Sequence, residues 1–62
     1  MYIDIYIRFK NGTSQSYLNT TDINDGILDK NHRQLSFNHK QRKIVLCINM
    51  KQILSIEQIK HE

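Results

Sequence analysis

From Tyr2 to Phe9 the chain alternates without a break: Ile3, Ile5, Ile7 and Phe9 fall on one side, and Tyr2, Asp4, Tyr6 and Arg8 on the other. A period of two predicts a strand with one buried face. Lys10-Asn11-Gly12-Thr13 ends the run, and Asn-Gly suits the two positive φ angles of a type I′ hairpin turn. With Asn11 and Gly12 as a two-residue loop, Tyr6 faces Tyr17, Arg8 faces Gln15 and Ile5 faces Leu18. That register puts Ser14, Ser16 and Thr20 among the isoleucines, a poor cover for a core. The second strand is therefore expected to be short or at an edge, with another partner on the far side of the first strand.

Thr20 to Asn31 reads two ways. Thr21 is a fair helix cap, with Ile23, Ile27 and Leu28 on one helical face. Gly26 weakens such a helix by about 1 kcal/mol, and Asn24-Asp25-Gly26 is good turn chemistry. A short helix or a structured loop is expected there. Arg33 to Asn38 alternates again, and a loop at His39-Lys40-Gln41-Arg42 sets Phe37 against Ile44 and Leu35 against Leu46 on the next strand, Lys43 to Met50. Val45 and Cys47 make that strand apolar on its other face too, which predicts a central strand or one covered on both sides.

At the C-terminal end Asn49 and Gln52 have capping-box spacing, and Ile53, Ile56 and Ile59 recur every third residue, so a helix fits. Isoleucine-rich sequence disfavours helix, and the polar residues gather on no clean face. The preferred reading is one helical turn over Met50 to Gln52, then a strand from Ile53 to Ile59. The fold expected is mainly β: a small antiparallel or barrel-like sheet of four to five strands with at most one short helix. The alternative is α+β with a C-terminal helix.

Length sharpens this picture. A chain of 62 residues makes one small domain, and such domains bury only roughly 60% of their unfolded surface. Disulfides, metals or partner chains usually make up the deficit. Cys47 is the single cysteine, so no internal disulfide forms, and self-association is expected. The formal charge of +3 permits an anionic partner without demanding one. The longest apolar run, Ile44 to Ile48, falls far short of the roughly 20 residues that span a bilayer, and Asp4 interrupts any leader-like apolar core. The cytoplasm is the expected compartment, and there the lone thiol stays reduced.

The initial strand with its Asn-Gly hairpin, together with Ile48-Asn49-Met50-Lys51-Gln52-Ile53-Leu54-Ser55-Ile56-Glu57, resembles short, mostly uncharacterised β-rich proteins of low-GC Gram-positive bacteria and their phages. The resemblance covers the two ends of the chain. It implies a small β-rich domain of phage or mobile-element origin, working in the host cytoplasm, and it assigns no active residue.

Candidate chemistry is sparse. Asp22-Ile23-Asn24-Asp25-Gly26 approximates a calcium loop, but its glycine comes one residue early and Arg33 stands where the bidentate glutamate belongs. His32, His39, Cys47 and His61 lack zinc spacing, and Cys47 reads as a core thiol. No nucleophile has a base and an orienting group beside it, so no enzyme, catalytic residue, cofactor or metal is expected. The basic residues carry more: Lys40, Arg42 and Lys43 crowd the second hairpin, with Arg33 on its other strand and Arg8 on the first. They are the candidate anion ligands, against a solvated turn whose charges protect an edge. Tyr2, Tyr6 and Tyr17 share the face opposite the isoleucines in the expected register. They suit base stacking or a subunit interface. Two functional expectations follow: a homo-oligomeric, non-enzymatic protein binding nucleic acid or a small nucleotide, which the phage resemblance would make a host-defence signal, or a protein–protein inhibitor or adaptor acting through a sheet edge or the tyrosine face.

Overall fold

The computed structural model describes residues 1–61. Five strands follow in order: β1 (Tyr2–Phe9), β2 (Ser14–Asp29), β3 (His32–His39), β4 (Arg42–Asn49) and β5 (Ile53–His61), with one 3-10 turn, Met50–Gln52, before β5. All pairings are antiparallel, and the strands lie side by side as β4-β3-β2-β1-β5 in one open sheet. The protein is mainly β. The C-terminal segment is a strand after a single helical turn, in which the Asn49 side chain accepts from the Lys51 backbone N–H at 3.0 Å. No helix among the described residues is long and apolar enough to cross a membrane.

The sheet closes on its own core because β2 turns a corner. Its first half, to Thr20, pairs with β1, and its second half, from Thr21, pairs with β3. Asn19 (φ 59°) and Asp22 (φ 55°) adopt left-handed backbone on either side of Thr20, a conformation that Asn and Asp tolerate better than most residues. Thr20 is fully buried and its hydroxyl donates to the Ile3 carbonyl at 2.6 Å, so the polar group at the corner is satisfied. Across the bend, Ile5 and Ile7 of β1 meet Leu35 and Phe37 of β3, with Ile48 and Ile53 completing the core. Arg33 and Asp25 form an ion pair at the open end of this core, beside Leu35, Ile48 and Ile56.

Several expectations are corrected. Residues 20 to 31 form no helix or isolated loop; most of them extend β2 as far as Asp29. The Asn and Asp signals there mark a bend within a strand, because a left-handed residue can redirect a strand without ending it. β2 is accordingly long and internal to the strand order, although its Ser14–Asn19 half has a strand partner only in β1 among the described residues, as the expected edge would.

The first hairpin is one residue out of the expected register: Ile5 faces Tyr17 and Arg8 faces Ser14. Its turn takes four residues, with Gly12 (φ 92°) the one left-handed position. The Phe9 N–H donates to the Thr13 carbonyl at 2.9 Å and the Gly12 N–H donates to the Phe9 carbonyl at 3.1 Å. Asn11 instead uses its side-chain oxygen to accept from the Thr13 N–H at 3.0 Å. The shift moves Tyr17 to the core side, against the Phe37 ring at 5.0 Å, and leaves Ser14 and Ser16 opposite Arg8 and Tyr6 on the outer face.

β4 is an edge strand, not a central one, and Cys47 is exposed rather than part of the core. Its register against β3 is the expected one, Phe37 facing Ile44 and Leu35 facing Leu46, through a tighter turn in which His39 pairs with Arg42.

Candidate functional site

The corner in β2 creates a cleft. β3 pairs with β2 only from Thr21 onward, so the Ser14–Asn19 half has β1 on one side and no strand on the other. The tip of the β3–β4 hairpin runs past the corner beside this free half, and between them lies an open cleft of about 930 Å³. Ser16, Leu18, Asn19 and Thr21 form one wall, Asn38 to Gln41 the other, and Tyr2 closes an end. The hairpin is held in place from the core side, where Tyr17 packs on Phe37 and stands edge-on to His39 with ring centres 5.7 Å apart.

Among the described residues no carboxylate lines the cleft. The two nearest along the chain are engaged in building the corner. Asp4 accepts from the Asn19 N–H at 2.9 Å, and the same oxygen lies 3.0 Å from His61 Nε2. The Asn19 bond first, and His61 second, hold the Asp4 carboxyl below its usual value. Asp22 accepts from the Asn38 amide at 2.7 Å. Lys40, Arg42 and Lys43 at the hairpin have no carboxylate partner among the described residues. The cleft therefore presents hydroxyls, amides, the rings of Tyr2 and His39, the Leu18 side chain and Lys40, with Arg42 and Lys43 next along the chain.

Backbone geometry singles out the same place. Four non-glycine residues have positive φ among the described residues: Asn19, Asp22, Lys40 and Gln41. Three of these line the cleft and Asp22 borders it. Lys40 (φ 51°) and Gln41 (φ 65°) are the central pair of a two-residue hairpin turn, where Asn-Gly is the relaxed choice. Holding Lys and Gln there costs about 1 kcal/mol each.

Of the five candidate anion ligands, Lys40 alone lines the cleft; Arg42 and Lys43 follow it at the base of the same hairpin, opposite His39 and Asn38 and therefore on opposite faces of β4. Arg33 lies at the opposite end of β3, occupied by Asp25, with its Nε 3.2 Å from one carboxylate oxygen. Arg8 lies on the outer face of β1, in a separate hollow with Tyr6 and Glu57. The three tyrosines also divide: Tyr2 and Tyr6 share the outer face, whereas Tyr17 points to the core side. Sequence reading missed Asn19, Asn38 and Gln41, since an isolated amide on a strand or turn gives no periodic signal. The acidic run from Asp22 is committed to Asn38 and Arg33, and no three His, Cys, Asp or Glu side chains among the described residues form a metal site.

Comparison of the chain with protein families, with curated proteins and with solved structures finds no match. The functional reading therefore rests on the cleft.

Proposed function

We propose that the chain is a non-enzymatic binding module whose cleft takes an anionic ligand of the nucleotide class, free or within single-stranded nucleic acid. Lys40, Arg42 and Lys43 meet the phosphates, with the arginine fork favouring two oxygens at once. Tyr2 offers a ring to a base, and the amides of Asn19, Asn38 and Gln41 offer donors and acceptors to its edge. The observation that carries this reading is a cleft with no carboxylate among its described lining residues, bounded by a turn that keeps Lys40 and Gln41 in an unfavourable backbone conformation. Such strain, where it persists, points to a use for the side chains. In the setting implied by a phage origin, the module would capture a nucleotide signal of host defence.

The test is fluorescence anisotropy with labelled oligo-dT and with a labelled adenine nucleotide over a range of salt. For the oligonucleotide, three phosphate contacts give a slope of about −2 in log affinity against log salt. Lys40→Ala/Arg42→Ala/Lys43→Ala flattens that slope and weakens whichever probe binds by at least about tenfold. Affinity that ignores both salt and these substitutions would remove the reading.

A second reading has its own observation. β4, β5 and the Ser14–Asn19 half of β2 leave strand edges unpaired, and an inhibitor or adaptor would use such an edge to add a strand from a protein partner. Binding of that kind survives high salt and the triple alanine substitution.

A further inference from the structure

The outer face of β1, with its neighbours on β2 and β5, has no layer packed on it, and its chemistry is that of a self-complementary surface. We propose that this face joins two copies of the chain about a two-fold axis, with Arg8 of each copy pairing with Glu57 of the other. The inference does not depend on the identity of the ligand.

Surface area is the first support. The described chain exposes 4754 Å², whereas a folded monomer of 7.4 kDa scales to about 4,200 Å². The excess is of the order hidden by one partner in a modest interface, for which about 800 Å² per partner is standard. Part of the excess lies on this face: Ile59, which lines the same hollow as Tyr6, Arg8 and Glu57, is 50% exposed on the side of the sheet away from the core.

Charge is the second. Tyr6 sits on β1 with Ser16 opposite on β2 and Glu57 opposite on β5, and Arg8, one step along the same face, has Ser14 and Ser55 as its neighbours. Arg8 and Glu57 line one hollow of about 350 Å³ without forming an ion pair. In an isologous interface, if residue i meets j then j meets i. An axis that exchanges Arg8 with Glu57 therefore forms two ion pairs at once. That axis passes close to Tyr6, so the two Tyr6 rings meet near the centre, where aromatic anchors contribute most. The strands of the two sheets then cross at a wide angle, which is the orthogonal mode of sheet packing.

The β4 edge is the poorer surface for a second copy. It carries Arg42 and Lys43 with no carboxylate on the strand, the kind of edge that charge protects from pairing.

Sedimentation velocity across a concentration series, read beside native mass spectrometry, tests the assignment. Wild-type protein is expected at twice the chain mass. Arg8→Glu and Glu57→Arg each place like charges across the axis and weaken the dimer by at least about tenfold, and the double variant recovers to within about threefold of wild type. Tyr6→Ala weakens it as well, whereas Val45→Lys on β4 leaves it unchanged. Circular dichroism confirms that each variant is folded; Arg8 is exposed, so its reversal disturbs no core contact. The proposal is overturned by a wild-type monomer at the highest concentration, by single reversals without effect, by a folded double variant that stays monomeric, or by a dimer that only Val45→Lys breaks.

Discussion

The two β-hairpin turns at Lys10–Thr13 and at Lys40–Gln41 solve the same problem with opposite choices of residue. In the first, Gly12 takes the single left-handed position and Asn11 accepts two hydrogen bonds from Thr13, so residue type and backbone agree. In the second, both central positions are left-handed and carry Lys and Gln, which gain nothing locally from that conformation. The chain has Asn-Gly in its repertoire and places it where only the turn is at stake. At the cleft it keeps a cation and an amide at the expense of local stability. A site on a small domain is often found where local preference and structure disagree, because elsewhere consistency is needed to fold at all.

The strained turn depends on packing beneath it, and that dependence gives the largest expected effect. Phe37 is 1% exposed and supports Tyr17, which in turn abuts His39. Phe37→Ala should destabilise by about 3–5 kcal/mol in urea unfolding, a large part of what a domain of this size holds. The relaxed turn should respond only through its backbone. A Cβ at Gly12 meets nothing within 4 Å, so Gly12→Ala should destabilise by about 1 kcal/mol, from the positive φ alone. A cost much above that would mean the first turn is also packed against a structural demand.

The corner, through Asp4, and the β2–β3 turn, through Asp29, share a pH signature. Asp4 and Asp29 are both held below the usual 3.8, Asp4 chiefly by the Asn19 N–H and Asp29 chiefly by the Asn31 N–H. A carboxyl lowered in the folded state stabilises above its unfolded pKa and loses that contribution as pH falls through the folded value. Thermal stability should therefore be insensitive to these two groups near neutrality and decline below about pH 4. Asp4→Asn and Asp29→Asn should each make that decline shallower. Asp29 is exposed and Asp4 only half-buried, so this is the smallest of the effects, and an unchanged acid slope in Asp4→Asn would remove the proposed role of Asp4 in the corner.

Much of the fold was legible because apolar alternation carried it. β1 has an apolar residue at every second position, and β3 and β4 each have two apolar residues that agree in one register, so their pairing followed from the sequence. The β1–β2 register was not legible, since Asn-Gly fits two turn geometries, and the one adopted has the Thr13 N–H donating to the Asn11 side-chain oxygen. The second half of β2 was hidden by Asn, Asp and Gly, whose local preferences signal a turn whether the chain stops or merely bends. The edge position of β4 was hidden for a different reason. Val45 is 53% exposed although apolar, and alternation reports the polarity of a face, not what covers it.

The candidate site shows the same division. Lys40, Arg42 and Lys43 are close in sequence and so stay at one hairpin, whereas Arg8 and Arg33 join them only if distant strands converge, and they do not. The amides of the cleft wall come from β2, β3 and the turn. Their grouping depends on the corner at Asn19 to Asp22, which was misread as a helix cap or loop.

The most direct test of the central claim exchanges the residues of one turn for those of the other. Lys40→Asn/Gln41→Gly should relax the second turn and raise stability by about 1 kcal/mol, or roughly 4–8 °C in thermal midpoint. Measured on the same preparation, affinity for the labelled oligonucleotide or nucleotide should fall by about tenfold. A more stable protein with undiminished binding would contradict the account, because the strain at Lys40 and Gln41 would then serve no ligand.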